Sequence, residues 1–409
     1  MASEQSFVIV GASLAGAKAA ETLRTEGFDG RVVLIGEESE RPYERPMLSK
    51  EYLRGDKPAA KLYVHAEAFY ADNDIELLTG TRVASIDPGA HEVTLQDGSR
   101  MPYSQLLLST GAVPRRLPLP GADLPGVRYL REMGDSDALR AAITSAGRVV
   151  VIGAGWIGCE VAASARQLGA EVAIVAPEPV PLERVLGPEI GGVYRDLHAE
   201  HGVDLHLSTQ IEAIVGTVAA QGVRTKDGSL IEGDLVVVGV GASPRDELAR
   251  DAGLEIENGI VVDEFLRTSA PDIFAAGDVA ATWNPMYQKR IRMEHWANAR
   301  NQGQTAARNM LGQGTAYAKL PYFYSDQYDL GMEYNGYAAD WDQVVVRGDA
   351  AGRELLAFWL KDGRVLAGMN ANVWDQGDGI KALIRSNTAV NLERLADPSV
   401  PLTELTDHV

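Results

Sequence analysis

Apolar residues gather in short β-branched runs that stop at glycines or turn residues: 7–10, 32–35, 106–108, 149–152, 172–175 and 235–238. A run that is apolar at every position, rather than at every second one, predicts a strand buried on both faces, as in a parallel sheet. Two alanine-rich stretches, 15–25 and 157–168, carry helical patterning between such runs. Strand and helix therefore alternate, which predicts an α/β fold. From about Pro321 the texture changes, with Tyr322, Phe323 and Tyr324 followed by strand-like runs at 344–346 and 355–359 between turn residues. This predicts an antiparallel third domain.

One device occurs twice. Gly11 opens GASLAG directly after the first run, and Gly153 opens GAGWIG after a later one. A strand, a glycine loop and a helix together let the backbone approach a pyrophosphate, whose charge meets the amides at the helix N-terminus. The second loop, with Gly153, Gly155, Trp156, Ile157 and Gly158, has all three glycines. The first, with Gly11, Ser13, Leu14, Ala15 and Gly16, carries serine where the middle glycine would stand. A lone match of this kind is often an ordinary glycine turn. Two copies, each followed after about 20 residues by a carboxylate, Glu37 and Glu178, predict two nucleotide sites in which these acids bind ribose hydroxyls. Glu178 sits beyond the usual position, which Ala176 occupies, and no basic residue follows it until Arg184. A 2′-phosphate then lacks its obvious partner, so NADH is favoured over NADPH.

Composition narrows the classes. A length of 409 residues suggests two or three domains at roughly 150 residues each. A net charge of −19 argues against nucleic acid and anionic membranes as general partners. No stretch approaches the roughly 18 apolar residues of a membrane helix. The chain runs from Met1 into its first strand without a basic segment or an apolar signal core, so a cytoplasmic location is expected. The single cysteine, Cys159, excludes an intramolecular disulfide and a paired-thiol redox centre, and reads as a small packing residue. No metal site is predicted.

Further segments carry a family likeness: RPYERPMLSK at 41–50, STGAVPR at 109–115, GVGASP at 239–244, AAGDV at 275–279, EHWANARNQG at 294–303 and SDQYDLGMEYNG at 325–336. With the two glycine loops they resemble the FAD- and NADH-dependent ferredoxin reductases of bacterial oxygenase systems, over essentially the whole chain. The nucleotide loops are common to many flavoproteins; the RPMLSK and DQYD segments are more specific to this group and its apoptosis-inducing-factor-like relatives.

The resemblance implies two Rossmann-like, glutathione-reductase-like nucleotide domains plus a C-terminal α+β domain with an antiparallel sheet. The expected boundaries are 1–115 with 243–318 for FAD, 116–242 for NADH, and 319–409. It places Asp278, at a loop-to-helix junction, on the ribityl chain, and Arg45, Lys50, Val83, Arg131 and Trp296 along the flavin or its adenine end. Thr110, Gly111, Gly239 and Gly241 belong to the strand-end turns around the nucleotides. Lys50, Glu160 and Trp296 are the candidate catalytic residues. Lys50 stabilises negative charge on reduced flavin or is a solvated loop lysine. Glu160 pairs with Lys50 or is a surface glutamate favoured by the helix dipole. Trp296 covers the flavin or is a core aromatic.

Related disulfide reductases use a cysteine pair, and related peroxide or oxygen reductases a single cysteine where this chain has Tyr43, Glu44 and Arg45. The expected acceptor is therefore a separate ferredoxin supplying an oxygenase, a haem monooxygenase in the first instance. A basic cluster at Lys289, Arg290, Arg292, Arg300 and Arg308 offers a docking face, or is neutralised by the chain's own carboxylates. A small-molecule acceptor, or an apoptosis-factor-like redox-sensing role, is the alternative. The expected oligomeric state is a monomer or weak homodimer.

Overall fold

A computed structural model describes residues 5–405; the reading of the first four residues lies outside this range. The chain divides into two compact units.

The first unit comprises the chain up to Arg45, Ala59–Val113 and Ala242–Pro321. Its centre is a five-stranded parallel sheet in the order Ile273–Ala275, Gln105–Leu108, Ser6–Val10, Arg31–Ile35 and Ile75–Leu78. Val8, Ile9, Val32 to Leu34 and Leu106 to Leu108 are fully buried, because helices or loops cover both faces. The helices Leu14–Thr25 and Trp296–Met310 pack closely where a Cβ on Gly303 would stand 2.2 Å from the Ala15 carbonyl oxygen. Only glycine permits that approach.

The second unit comprises Pro46–Pro58, Pro114–Gly241 and the chain from Tyr322 onward. Its parallel sheet runs Val127–Arg128, Leu235–Val238, Arg148–Ile152, Glu171–Val175 and Asp204–His206. The strand preceding each glycine loop has the same two kinds of neighbour in both units, so the repeated motif is a repeated topology. The C-terminal part is a five-stranded antiparallel sheet in the order Tyr322–Gln327, Leu330–Gly336, Arg364–Ala371, Glu354–Lys361 and Gln343–Asp349. Trp359 on this sheet is fully buried and donates from Nε1 to the Leu186 carbonyl at 3.1 Å.

The expected boundaries kept 46–58 with the residues flanking it. In the fold this segment packs in the second unit, because its apolar and polar groups find partners there: Leu53 joins the core around Leu139 and Val161, and the Tyr52 hydroxyl donates to Asp137 at 3.0 Å. Among the described residues no helix is long and apolar enough to cross a membrane.

Candidate functional site

The two glycine loops are built alike. A Cβ on Gly11 would lie 2.1 Å from the Ser109 carbonyl oxygen, and one on Gly153 would lie 2.4 Å from that of Gly239. Both glycines have positive φ, +118° and +100°, so L side chains are excluded by conformation as well as by space. The last glycine of each loop, Gly16 or Gly158, would drive a Cβ to 2.1 Å from the carbonyl of the first. Gly155 differs: a Cβ there would meet nothing within 4 Å. No protein neighbour demands glycine at that place, whereas a bound pyrophosphate pressed onto the loop would. Neither helix has a side-chain cap bond at Ser13 or Gly155, nor an acid in its first turn, so the N-terminal amides are left to an anion. The residues present fit a dinucleotide in each loop.

The predicted ribose acids differ in surroundings. Glu37 pairs with Arg245 and stands 3.8 Å from Arg82 Nη1. Glu178 is held by Arg184 at 2.7 Å, and its backbone carbonyl accepts from the Ser208 amide. Arg184, the first basic residue after Glu178, thus folds back onto it. Around the loops, Thr110 Oγ1 donates to the Arg245 carbonyl at 2.7 Å, Gly111 takes φ +74°, and the Gly241 carbonyl accepts from the Arg115 amide at 2.9 Å.

In the first unit, Arg45 is clamped by the Glu38 carboxylate and the Tyr43 hydroxyl, and it also feels the Asp278 carboxylate. Asp278 lies in the turn between strands Ile273–Ala275 and Ala280–Asn284, not at the helix junction expected, because the chain continues from Gly277 into a strand. His295 is drawn down to about 4 by loss of solvation, opposed by Asp278, and is neutral at physiological pH. Trp296 opens its helix partly exposed, with Arg300 stacked 5.4 Å from the ring centroid. Its Nε1 is buried and has no hydrogen-bond partner among the described residues, a donor aimed where the protein offers nothing. Val83 is a core residue. Arg131 belongs to the second unit, its amide donating to Asp135 at 3.0 Å.

The second unit brings Lys50 and Glu160 together at 3.2 Å, their side chains only 4% and 5% exposed. Neither is a surface residue. The helix Trp156–Gln167 presents Trp156 and Glu160 on one face, and the strand Tyr322–Gln327 presents Phe323, Ser325 and Gln327 on one face. Four residues of helix rise about 6 Å and two of strand about 6.6 Å, so the rows match. Trp156 accordingly meets Phe323 edge-to-face at 5.1 Å, and Ser325 donates to Glu160 Oε1 at 2.7 Å. Ser49 donates to Oε2 at 2.5 Å. Ser164, one turn further along the helix, anchors the lysine segment by donating to the Ser49 carbonyl at 2.7 Å. Ser49, Ser325, Gln327 and Arg245 were not singled out from the sequence. Ser325 and Gln327 lie inside the SDQYD segment that carried the likeness, which was the available signal.

The basic cluster is not a continuous charged face. Arg292 pairs with Glu294 at 2.6 Å and Arg308 with Glu26 at 2.9 Å; Lys289, Arg290 and Arg300 are exposed, with Arg290 3.9 Å from Glu257. Cys159 is fully buried, and burial pushes its thiol far up, so it is inert packing.

The pyridine nucleotide-disulphide oxidoreductase family model matches residues 5–303, and the reductase C-terminal model matches 322–406. The chain belongs to this family of oxidoreductases, and its cofactors are FAD and NAD(H). It is 40% identical to the 5,5′-dehydrodivanillate O-demethylase ferredoxin reductase subunit of Sphingobium sp., over 98% of each chain. It is 36% identical to putidaredoxin reductase of Pseudomonas putida, over 99% of this chain and 97% of that one. Among solved structures, the covalent putidaredoxin reductase–putidaredoxin complex matches with a TM-score of 0.94 at 36% identity, covering 98% of each chain.

Proposed function

We propose that the chain carries electrons from NADH through FAD to a ferredoxin of an oxygenase system, with a haem monooxygenase as the expected terminal acceptor. The single cysteine, inert in the core, carries this reading: no thiol of the chain is placed to pass electrons on, so they leave for an external acceptor. The full-length likeness to reductases named for ferredoxin and oxygenase systems supports it. Bound FAD supplies the redox chemistry, accepting a hydride as a pair and releasing electrons singly.

The protein's part is to bind and orient. In this reading Gly11 to Gly16 and Glu37 hold the FAD pyrophosphate and ribose, with Asp278 on the ribityl chain and Arg45 and Trp296 along the ring system. Gly153 to Gly158 and Glu178 hold NADH. Lys50, fixed by Glu160, supplies positive charge where hydride arrival adds negative charge. Lys289, Arg290 and Arg300 form the docking face for an acidic ferredoxin.

Anaerobic stopped-flow tests the reading: NADH is mixed with the yellow holoenzyme, then with a ferredoxin, following flavin and iron–sulfur absorbance separately. Rapid flavin bleaching followed by one-electron reduction of the ferredoxin is expected. Bleaching without ferredoxin reduction at any salt concentration would move the assignment to a small-molecule acceptor.

A further inference from the structure

The chain of contacts that holds Glu160 continues past Ser325 and ends at a buried histidine the proposed mechanism does not use. Ser325 Oγ accepts from Gln327 Nε2 at 3.3 Å, and Gln327 Oε1 faces His198 Nε2 at 2.9 Å. His198 is wholly inaccessible, as are Gln327 and Ser325 to within 1%. His198 Nδ1 has no hydrogen-bond partner among the described residues. Burial draws His198 down to about 4, against its hydrogen bond to the Gln327 oxygen, which raises it, so the ring is neutral and carries one proton. Its titratable neighbours are Tyr328, edge-on at 5.5 Å, and His201, stacked on Tyr328 at 3.7 Å.

Every link in this chain has a direction. Glu160 as a carboxylate can only accept, so Ser325 must donate to it, Gln327 must donate to Ser325, and the Gln327 oxygen must accept from His198. The imidazole proton then sits on Nε2, leaving the partnerless Nδ1 as a bare acceptor. If the group at position 160 donates instead, each link reverses: Ser325 donates to Gln327 Oε1, the amide turns over, and the proton moves to Nδ1. That places a buried N–H donor where no acceptor is found among the described residues, which carries its full desolvation cost.

We propose that His198 is a positioning residue whose fixed tautomer, transmitted through Gln327 and Ser325, holds Glu160 as an acceptor beside Lys50. Its relevance to electron transfer rests on the role proposed above for the Lys50–Glu160 pair; the coupling itself does not. Ser49 and Lys50 both point at Oε2. In Glu160→Gln the amide oxygen therefore takes that place and the amide nitrogen turns toward Ser325, reversing the chain at its far end.

The test is the tautomer of His198 in ¹⁵N-histidine-labelled full-length holoenzyme near neutral pH, read from long-range ¹H–¹⁵N correlations and assigned by loss of its signals in His198→Gln. The parent should show Nε2–H, Glu160→Gln should show Nδ1–H, and adding Ser325→Ala to Glu160→Gln should abolish the dependence on position 160. The same tautomer in parent and Glu160→Gln, or Nδ1–H in the parent, overturns the proposal. Should Glu160→Gln fail to fold, Gln327→Met serves: without the acceptor His198 should lose its single tautomer, and retention of pure Nε2–H overturns the proposal. The rate of flavin reduction by NADH in Glu160→Gln separates the two readings. An unchanged rate with a switched tautomer removes the electron-transfer role and keeps the coupling; a changed rate with an unswitched tautomer does the reverse.

Discussion

Arg184 reaches back across a turn to place Nη2 2.7 Å from the Glu178 carboxylate, the arginine 80% exposed and the glutamate 19%. The cation available to greet a 2′-phosphate is thus tied to the anion that would repel one. Glu178→Ala frees it and removes the carboxylate proposed above to bind the ribose. The ratio of kcat/KM for NADH over NADPH is expected to fall by ~10-fold or more, about 1.4 kcal/mol, measured by steady-state turnover with each nucleotide.

Gly155 and Gly158 stand three residues apart but make opposite predictions. Gly158→Ala forces a Cβ to 2.1 Å from the Gly153 carbonyl oxygen and should destabilise the protein. Gly155→Ala meets no protein atom within 4 Å and should leave thermal stability unchanged while raising KM for NADH. A melting temperature for Gly155→Ala well below the parent's would mean that the protein, rather than the nucleotide, selects that glycine.

Breaking the buried pair from the lysine side leaves Glu160 with hydroxyl donors but no cation. Lys50→Met should cost about 3–5 kcal/mol, since an uncompensated buried charge is costlier than a missing pair. Lys50→Met combined with Glu160→Gln should recover much of that loss. Denaturation of both variants beside the parent decides it; equal losses would show that the charge is not the source.

His198 makes stability depend on pH. Its folded value, about 4, lies below the ordinary 6.5, so the unfolded chain takes up a proton in a range where the folded one does not. The contribution is fully present above pH 6.5 and is lost, at ~1.4 kcal/mol per pH unit, as pH falls toward about 4. His198→Gln lacks this proton uptake, so its stability should decline less steeply than the parent's over that range. Parallel slopes in denaturant titrations would show that His198 does not titrate this way.

Charge on the basic segment is unevenly available. Arg308 is paired with Glu26, whereas Arg290 stands 3.9 Å from Glu257 and Arg300 lies over Trp296. Arg290→Glu with Arg300→Glu should flatten the salt dependence of ferredoxin reduction and slow it at low ionic strength, while Arg308→Glu should leave the salt slope unchanged.

The local pattern of the chain determined much of this protein. Fully apolar runs ending in glycine mark strands covered on both faces, and the loops at Gly11 and Gly153 need no distant partner to be recognised, because strand, turn and helix N-terminus are contiguous. The segment 41–50 announced Lys50 by its neighbours. Only tertiary structure decided the rest. Ser325 and Glu160 are 165 positions apart and His198 and Gln327 are 129 apart, and no periodicity encodes such a bond. Segment 46–58 joined the second unit because Tyr52 and Leu53 find their partners there, and Arg292 lost its free charge to Glu294, two residues away, only once the backbone brought them together. Patterning specifies which face of an element is buried; which polar group meets which inside depends on how the elements dock.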